Sequence, residues 1–297
     1  MNTNRAKSLS PLTLALSPIG ERARVRGDPA AWRAPRPALV AGVDVGSVSA
    51  EAVLLQAGHV VAQSTLPTGA NSRAAGEEVL RRALEQAGAR LAEVAMVVAT
   101  GYGRMAVDAA QKKVTEITCH ARGAGHHFPD AATVIDIGGQ DSKVIRLDAR
   151  GAVSDFVMND RCAAGTGRFL EVMSRALDVP LDRLGELSLR ARRAAPVSSM
   201  CTVFAESEVV SLVAEGVPVV EIIAGLHAAV AERIWGMAQR LGLAPRVVMS
   251  GGVAYNEGVV RALEQRLGAA LAVAPQPHMV GALGAALIAA DLVGQGK

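Results

Sequence analysis

Asp136-Ile137-Gly138-Gly139-Gln140-Asp141 closes one β-branched run, Thr133 to Ile137, and opens another, Lys143 to Leu147. An acidic residue at a strand end followed by glycine marks a tight connection, because glycine accepts the backbone angles a short turn demands. The same arrangement stands earlier, at Asp44-Val45-Gly46-Ser47, after the strand Leu39 to Val45 and before Ala50 to Gln56 and Val60 to Leu66. Val153 to Met158 completes the later set of three strands. After the first set come a helix over Ala74 to Ala87, a strand Ala95 to Thr100 ending in Gly101-Tyr102-Gly103, and a helical stretch around His120. Two three-stranded openings of one design predict a duplicated β-β-β-α unit. The fold class is therefore α/β, two stacked half-domains with a cleft between them.

Composition agrees. Half of the 297 residues are hydrophobic but only 3% are aromatic, so the core is built from Ala, Val, Leu and Ile, which suits buried strands. Residues 1–36 carry seven of the 31 Lys/Arg and two of the 28 Asp/Glu, which leaves the rest slightly acidic and without the clustered basic footprint of a nucleic-acid binder. Three cysteines, an odd number, argue against a disulfide framework and for a reducing, cytoplasmic setting. No uninterrupted apolar stretch reaches membrane-spanning length, so no membrane partner is expected.

The expected organisation has four parts. Residues 1–36, without period, read as a disordered tail or a mis-called start. Residues 37–130 form the first half-domain and 131–279 the second, and 280–297 form an Ala/Gly-rich helix that returns to the first. Within the second half, helices are predicted over Thr166 to Leu177, Val203 to Ala214, Val219 to Leu241 and Glu257 to Leu267. Ile223, Leu226, Val230, Ile234, Met237 and Leu241 make one buried stripe at spacings of three and four. His227 beside it reads as a surface or satisfied helix residue. A strand, Arg246 to Met249, leads into Ser250-Gly251-Gly252.

Turns of this kind let backbone approach phosphate oxygens while a carboxylate holds hydrated Mg²⁺. One alone is ordinary hairpin chemistry; two, with a third glycine pair at Gly251-Gly252, point to a nucleotide cleft. No Walker A sequence occurs, and no Gly-x-Gly-x-x-Gly follows a strand. The three motifs resemble the phosphate-1, phosphate-2 and adenosine motifs of the actin, sugar kinase and Hsp70 (ribonuclease H-like) ATPase superfamily. Asp44, Asp136 and Gln140 are the candidate catalytic residues. Gly46, Ser47, Gly138, Gly139, Asp141, Lys143, Gly251, Gly252 and Asn256 are the candidate contacts to ATP and Mg²⁺.

Cys162, in Cys162-Ala163-Ala164-Gly165-Thr166-Gly167-Arg168-Phe169-Leu170, and Cys201, in Cys201-Thr202-Val203-Phe204-Ala205-Glu206-Ser207-Glu208, each read as lying at the mouth of a helix. The positive end of a helix favours an anionic sulfur, and such sulfurs ligate soft metals. An iron-sulfur cluster usually takes four cysteines, so two chains would supply the set. Cys119 as a further ligand would give two thiols too many and reads as a buried structural cysteine. The His126-His127 pair has no role assigned.

These motifs, together with Ala99-Thr100-Gly101-Tyr102-Gly103-Arg104 and Cys119-His120-Ala121, resemble the activator component of (R)-2-hydroxyacyl-CoA dehydratases. That group belongs to the ATPases that include the benzoyl-CoA reductase ATP-binding subunits, and the likeness spans about Leu39 to Ala290. It implies a homodimer sharing one four-iron, four-sulfur cluster held by Cys162 and Cys201. It also implies reduction by ferredoxin or flavodoxin, and ATP-driven transfer of one low-potential electron to a 2-hydroxyacyl-CoA dehydratase component, where a substrate ketyl radical forms.

One departure stands out. The first phosphate loop of the family usually carries a Lys where this chain has Glu51. A carboxylate there repels phosphate unless Mg²⁺ or Lys143 compensates; the alternation around it is read as turning Glu51 to solvent. Three other readings stay open: an ATP-binding subunit of a benzoyl-CoA reductase-type enzyme, a sugar or acyl kinase of the same fold, and a non-enzymatic ATPase regulator.

Overall fold

The computed structural model describes residues 37–159, 162–197 and 201–295. The tail expected over residues 1–36 lies outside them. Strands β1 (Leu39–Val45), β2 (Ser49–Gln56) and β3 (His59–Pro67) lead into α1 (Ser72–Ala87), β4 (Val94–Thr100), β5 (Lys112–Lys113) and α2 (Glu116–His127). The pattern restarts with β6 (Thr133–Ile137), β7 (Ser142–Leu147) and β8 (Val153–Asn159). Next come α3 (Gly167–Ala176), α4 (Leu184–Ser188), α5 (Thr202–Ala214) and α6 (Val219–Leu241). The chain closes with β9 (Val247–Ser250), α7 (Glu257–Leu267), β10 (Leu271–Val273) and α8 (Val280–Gln295).

The strands form two five-stranded sheets of one design, in the orders β3-β2-β1-β4-β5 and β8-β7-β6-β9-β10. In each, the first three strands are antiparallel neighbours and the last two join in parallel. This is the duplicated actin/sugar kinase/Hsp70-type architecture. β5 and β10, of two and three residues, escape the sequence reading because so short a run shows no alternation.

Helix ends follow local chemistry. The Asn71 side chain caps α1 and left-handed Gly88 ends it; Thr115 caps α2; Asn256 caps α7, which ends at left-handed Gly268. α1 covers one face of the first sheet, with Val79, Leu80 and Ala83 against Val43, Ala52 and Val97. α8 covers the other, with Ala282, Leu283 and Ala286 against Val40, Val53 and Val98. α6 buries its stripe, Ile223 through Leu241, in the core of the second half. α2 packs on α8 and also presents Ile117, Ala121 and Ala124 to Val134, Ile145 and Val248 of the second sheet. It thus lies between the halves. The span Pro277–Gly294 is long and apolar enough to cross a membrane, yet 61% of it is buried inside the protein, as befits a core helix.

Candidate functional site

The two parallel strand pairs end in matching rows of side chains. In the second sheet Asp136 stands between Lys143 on β7 and Ser250 on β9. In the first, Asp44 stands between Glu51 on β2 and Thr100 on β4. Partners in register point to the same face, so each half presents an acid flanked by a hydroxyl and a second ionisable group. All six residues are buried. The turns also match: the Gly46 N–H donates to the Ser49 carbonyl at 2.9 Å and the Gly138 N–H to the Asp141 carbonyl at 3.0 Å.

In the second row the hydrogen bonds are closed. Ser250 Oγ donates to Asp136 Oδ1 at 2.9 Å, and Lys143 Nζ reaches Asp136 Oδ2 at 3.2 Å and Asp141 Oδ1 at 2.9 Å. His120, carried in from α2, sets Nδ1 3.3 Å from Asp136 Oδ1. Its Nε2 faces Gly281 at the start of α8, where a methyl would strike Asp44 Oδ2 as well. One imidazole therefore lies beside the acids of both halves. The sequence reading gave His120 no role, and a histidine in an Ala/Gly-rich helix carries no signal for one.

Electrostatics separate the two acids. Burial would raise Asp136, but His120, Lys143 and the Ser250 hydroxyl outweigh it and hold that carboxyl below the usual range. Burial lifts Asp44 to about 6 despite attraction to His120 and Lys143. Burial likewise opposes charge on Lys143, yet Asp136 and Asp141 raise it above an ordinary lysine. Asp141 is raised, chiefly by its own burial.

Glu51 corrects the expectation of a solvent-facing side chain. It is 4% exposed, and burial, with Asp44 beside it, pushes its carboxyl up to about 8. Ser49 hydrogen-bonds the group, while Oε1 is buried without a hydrogen-bond partner. The alternation misled because β2 is an interior strand with six consecutive buried residues, so period two has no solvent side to report.

The glycines bring the halves together. A methyl at Gly139 would run into Val48 of the first turn, with Ser47 Oγ close by. Gly101 and Gly251, just past the two rows, adopt φ of +83° and +85°, and a methyl on either would crowd Asp44 or Asp136. Gly251 is buried and Gly252 exposed, while Gln140 is exposed at the tip of its turn. Asn256 is committed to the fold: Oδ1 accepts from the Val259 N–H at 3.0 Å and Nδ2 faces His227 Nε2 at 3.3 Å. His227 is buried rather than on the surface, its Nδ1 3.0 Å from Ser188 Oγ.

Cys201 is the N-cap of α5 and is exposed. Cys162 differs from expectation: it is half-buried, and α3 begins only at Gly167 after the Thr166 cap. Positive φ at Gly165 turns the chain first. The loop is tied down by Asn159 Nδ2, which donates to the Cys162 and Ala164 carbonyls at 3.0 Å each, and by Ser142 Oγ on the Gly165 carbonyl. The first N–H groups of α3 donate into the second turn, Gly167 to the Gly138 carbonyl at 2.9 Å and Arg168 to the Gly139 carbonyl at 2.8 Å. The remaining parts of the two cysteine motifs, Asp160, Arg161 and Ser198 to Met200, lie outside the described residues. Cys119 is fully buried, its thiol pushed up to about 12 by burial. Among the described residues no group of three or more His, Cys, Asp or Glu could hold a metal by itself. Cys162 and Cys201 offer two thiols, half of the four that an iron-sulfur cluster usually takes.

Known proteins resemble this chain over most of its length. The activator of lactoyl-CoA dehydratase of Anaerotignum propionicum is 51% identical over 249 residues, 84% of this chain and 96% of that one. The crystal structure of (R)-2-hydroxyglutaryl-CoA dehydratase component A of Acidaminococcus fermentans superposes with a TM-score of 0.83 at 43% identity, over 86% of this chain and 99% of that one. The activator of 2-hydroxyisocaproyl-CoA dehydratase from Clostridium difficile, solved with bound ADPNP, gives 0.82 at 42% identity over 87% and 96%. With residues 41–289 matched, a span that includes both turns, Cys162 and Cys201, the chain belongs to the BadF/BadG/BcrA/BcrD ATPase family.

Proposed function

We propose that this ATPase is an iron-sulfur activator that uses ATP hydrolysis to pass one low-potential electron from ferredoxin or flavodoxin to a 2-hydroxyacyl-CoA dehydratase component. The observation that carries the reading is the pair of hydrogen bonds from Gly167 and Arg168 to the carbonyls of Gly138 and Gly139. They join the cysteine loop to the second phosphate turn without a flexible linker.

Asp44 and Asp136 would hold a hydrated Mg²⁺, a role that suits two buried carboxylates at adjoining strand ends. Ser47 and the backbone of Gly46, Gly138 and Gly139 would meet the phosphates, and Gln140 would orient the attacking water. Lys143 offsets the charge of Asp136 and Asp141. Gly251 and Gly252 would flank the adenosine, and Asn256 would keep that loop in place by capping α7.

When bound, a four-iron, four-sulfur cluster supplies a one-electron carrier whose potential responds to hydrogen bonding and exposure. Cys162 and Cys201 would hold it, two from each copy of a homodimer. α5 exposes Val203, Phe204, Val210 and Val213, apolar surface of the kind a second copy would cover. A shift of Gly138 and Gly139 on hydrolysis would pull the α3 start and with it the Cys162 loop, because Asn159 and Ser142 tie that loop to β8 and β7.

Iron content tests the ligand assignment. Protein purified without oxygen is expected to be brown with about four irons per dimer, and Cys162→Ser or Cys201→Ser to lose both colour and iron while Cys119→Ser keeps them. Bleaching by Cys119→Ser with retention in Cys201→Ser would overturn the assignment, and a colourless wild type would favour a kinase reading.

A further inference from the structure

The duplication makes each half a control for the other. Asp136 and Lys143 are seven residues apart and face each other in register, as are Asp44 and Glu51. The neighbouring strand supplies a hydroxyl in both cases, Ser250 and Thr100. The halves differ in the flanking group: the second has an ammonium 3.2 Å from its acid, the first a carboxyl. Exchanging an ammonium for a carboxyl removes one positive charge, and ionising that carboxyl on an incoming cation lowers the local charge by a second. The group concerned is 4% exposed, and its Oε1 has no hydrogen-bond partner, in a protein interior where unpaired polar atoms are costly. That oxygen belongs to a side chain beside Asp44, in a row whose other members are oxygen donors.

We propose that Glu51 and Asp44 together bind a hard divalent cation in the nucleotide-free protein, at the place that the Lys143 ammonium fills in the other half. Carboxylate and hydroxyl oxygens select the Mg²⁺ and Mn²⁺ class, and two carboxylates suffice because such ions keep several waters. One divalent ion also restores the two charges. The inference takes from the proposed function only that phosphates enter between the two turns; there the ion would meet them in place of a lysine.

Mn²⁺ binding to nucleotide-free protein, followed by electron paramagnetic resonance of the free ion, tests this without any measurement of hydrolysis. The wild type is expected to bind one Mn²⁺ per chain, displaced by excess Mg²⁺, with at least tenfold weaker binding in Glu51→Gln and none at this site in Glu51→Lys. Gln is isosteric and removes a buried charge, so circular dichroism should show a folded variant. As an independent arm, millimolar Mg²⁺ should raise the melting temperature of the wild type and leave that of Glu51→Gln unmoved. Equal Mn²⁺ affinity in wild type and Glu51→Gln, or no saturable site in the wild type, would overturn the proposal; the former is the result for a carboxyl that simply keeps its proton. Failure of the ATPase reading would register separately, as absent Mg-ATP hydrolysis with Mn²⁺ binding intact.

Discussion

At the scale of single residues, the chain uses ionisable groups in opposite ways inside and beside the cleft. His227 is a structural histidine with a defined tautomer. Ser188 Oγ donates to the Gly185 carbonyl at 2.8 Å, so it accepts from His227 Nδ1–H; Asn256 spends Oδ1 on its cap, so its Nδ2 donates to His227 Nε2. A proton on Nε2 would face that donor in a buried site, and burial lowers the imidazole to about 4. The unfolded histidine takes up its proton near 6.5. Stability from this group is therefore complete above pH 6.5 and is lost as pH falls towards 4, by about 3 kcal/mol at most. Thermal melts from pH 7.5 to pH 5 should show a steeper loss for the wild type than for His227→Gln; parallel curves would mean that the imidazole is not buried neutral. Cys119, with its thiol raised to about 12 by burial, should resist alkylation at pH 8 in folded protein and react once the protein is unfolded. Modification of Cys119 in the native state, read by peptide mass, would contradict its burial.

Between elements, the packing of α8 onto the rest of the first half is made of backbone. A methyl on Gly284 of α8 would collide with the Cys119 carbonyl of α2, one on Gly123 with the Val280 carbonyl, and one on Gly42 of β1 with the Ala282 carbonyl. None of these neighbours is a side-chain tip that could swing away. Gly284→Ala should therefore cost on the order of 3 kcal/mol or more, beyond the small helix-propensity gain of alanine, through overpacking. Urea unfolding that gave a variant as stable as the wild type would show that α2 and α8 can separate freely. Much of this level was legible in the sequence. Thr133 to Ile137 and Leu39 to Val45 were readable because β-branched runs ending in acid-glycine turns have one structural meaning, and the α6 stripe because its apolar spacing is regular. The place of Cys162 was not: the helix expected from Thr166 starts at Gly167, but a cysteine before a glycine-rich run reads as its mouth, while positive φ at Gly165 turns the chain between them. Glu51 and His120 were illegible for a related reason. What they do depends on which strand of the other half, or which helix from outside the motif, arrives beside them.

For the whole molecule, the proposed function is one of linkage between a hydrolytic site and a pair of thiols. The two acid-glycine turns touch each other through Gly139 and Val48, α2 brings His120 to both acids, and α3 hangs from the second turn. Asp136 stands where these three connections meet. Neutralising it removes a charge that Lys143 and His120 face and the carboxylate proposed to hold Mg²⁺, so hydrolysis should fall on the order of 10²-fold or more. The cysteines lie outside that row, so iron content should survive. The decisive measurement is activation of the dehydratase by anaerobic Asp136→Asn protein, prereduced with dithionite and supplied with excess Mg-ATP. The proposed function predicts a brown, reducible protein that does not activate its partner; activation at the wild-type rate would contradict it and leave nucleotide binding, not hydrolysis at Asp136, as the gate.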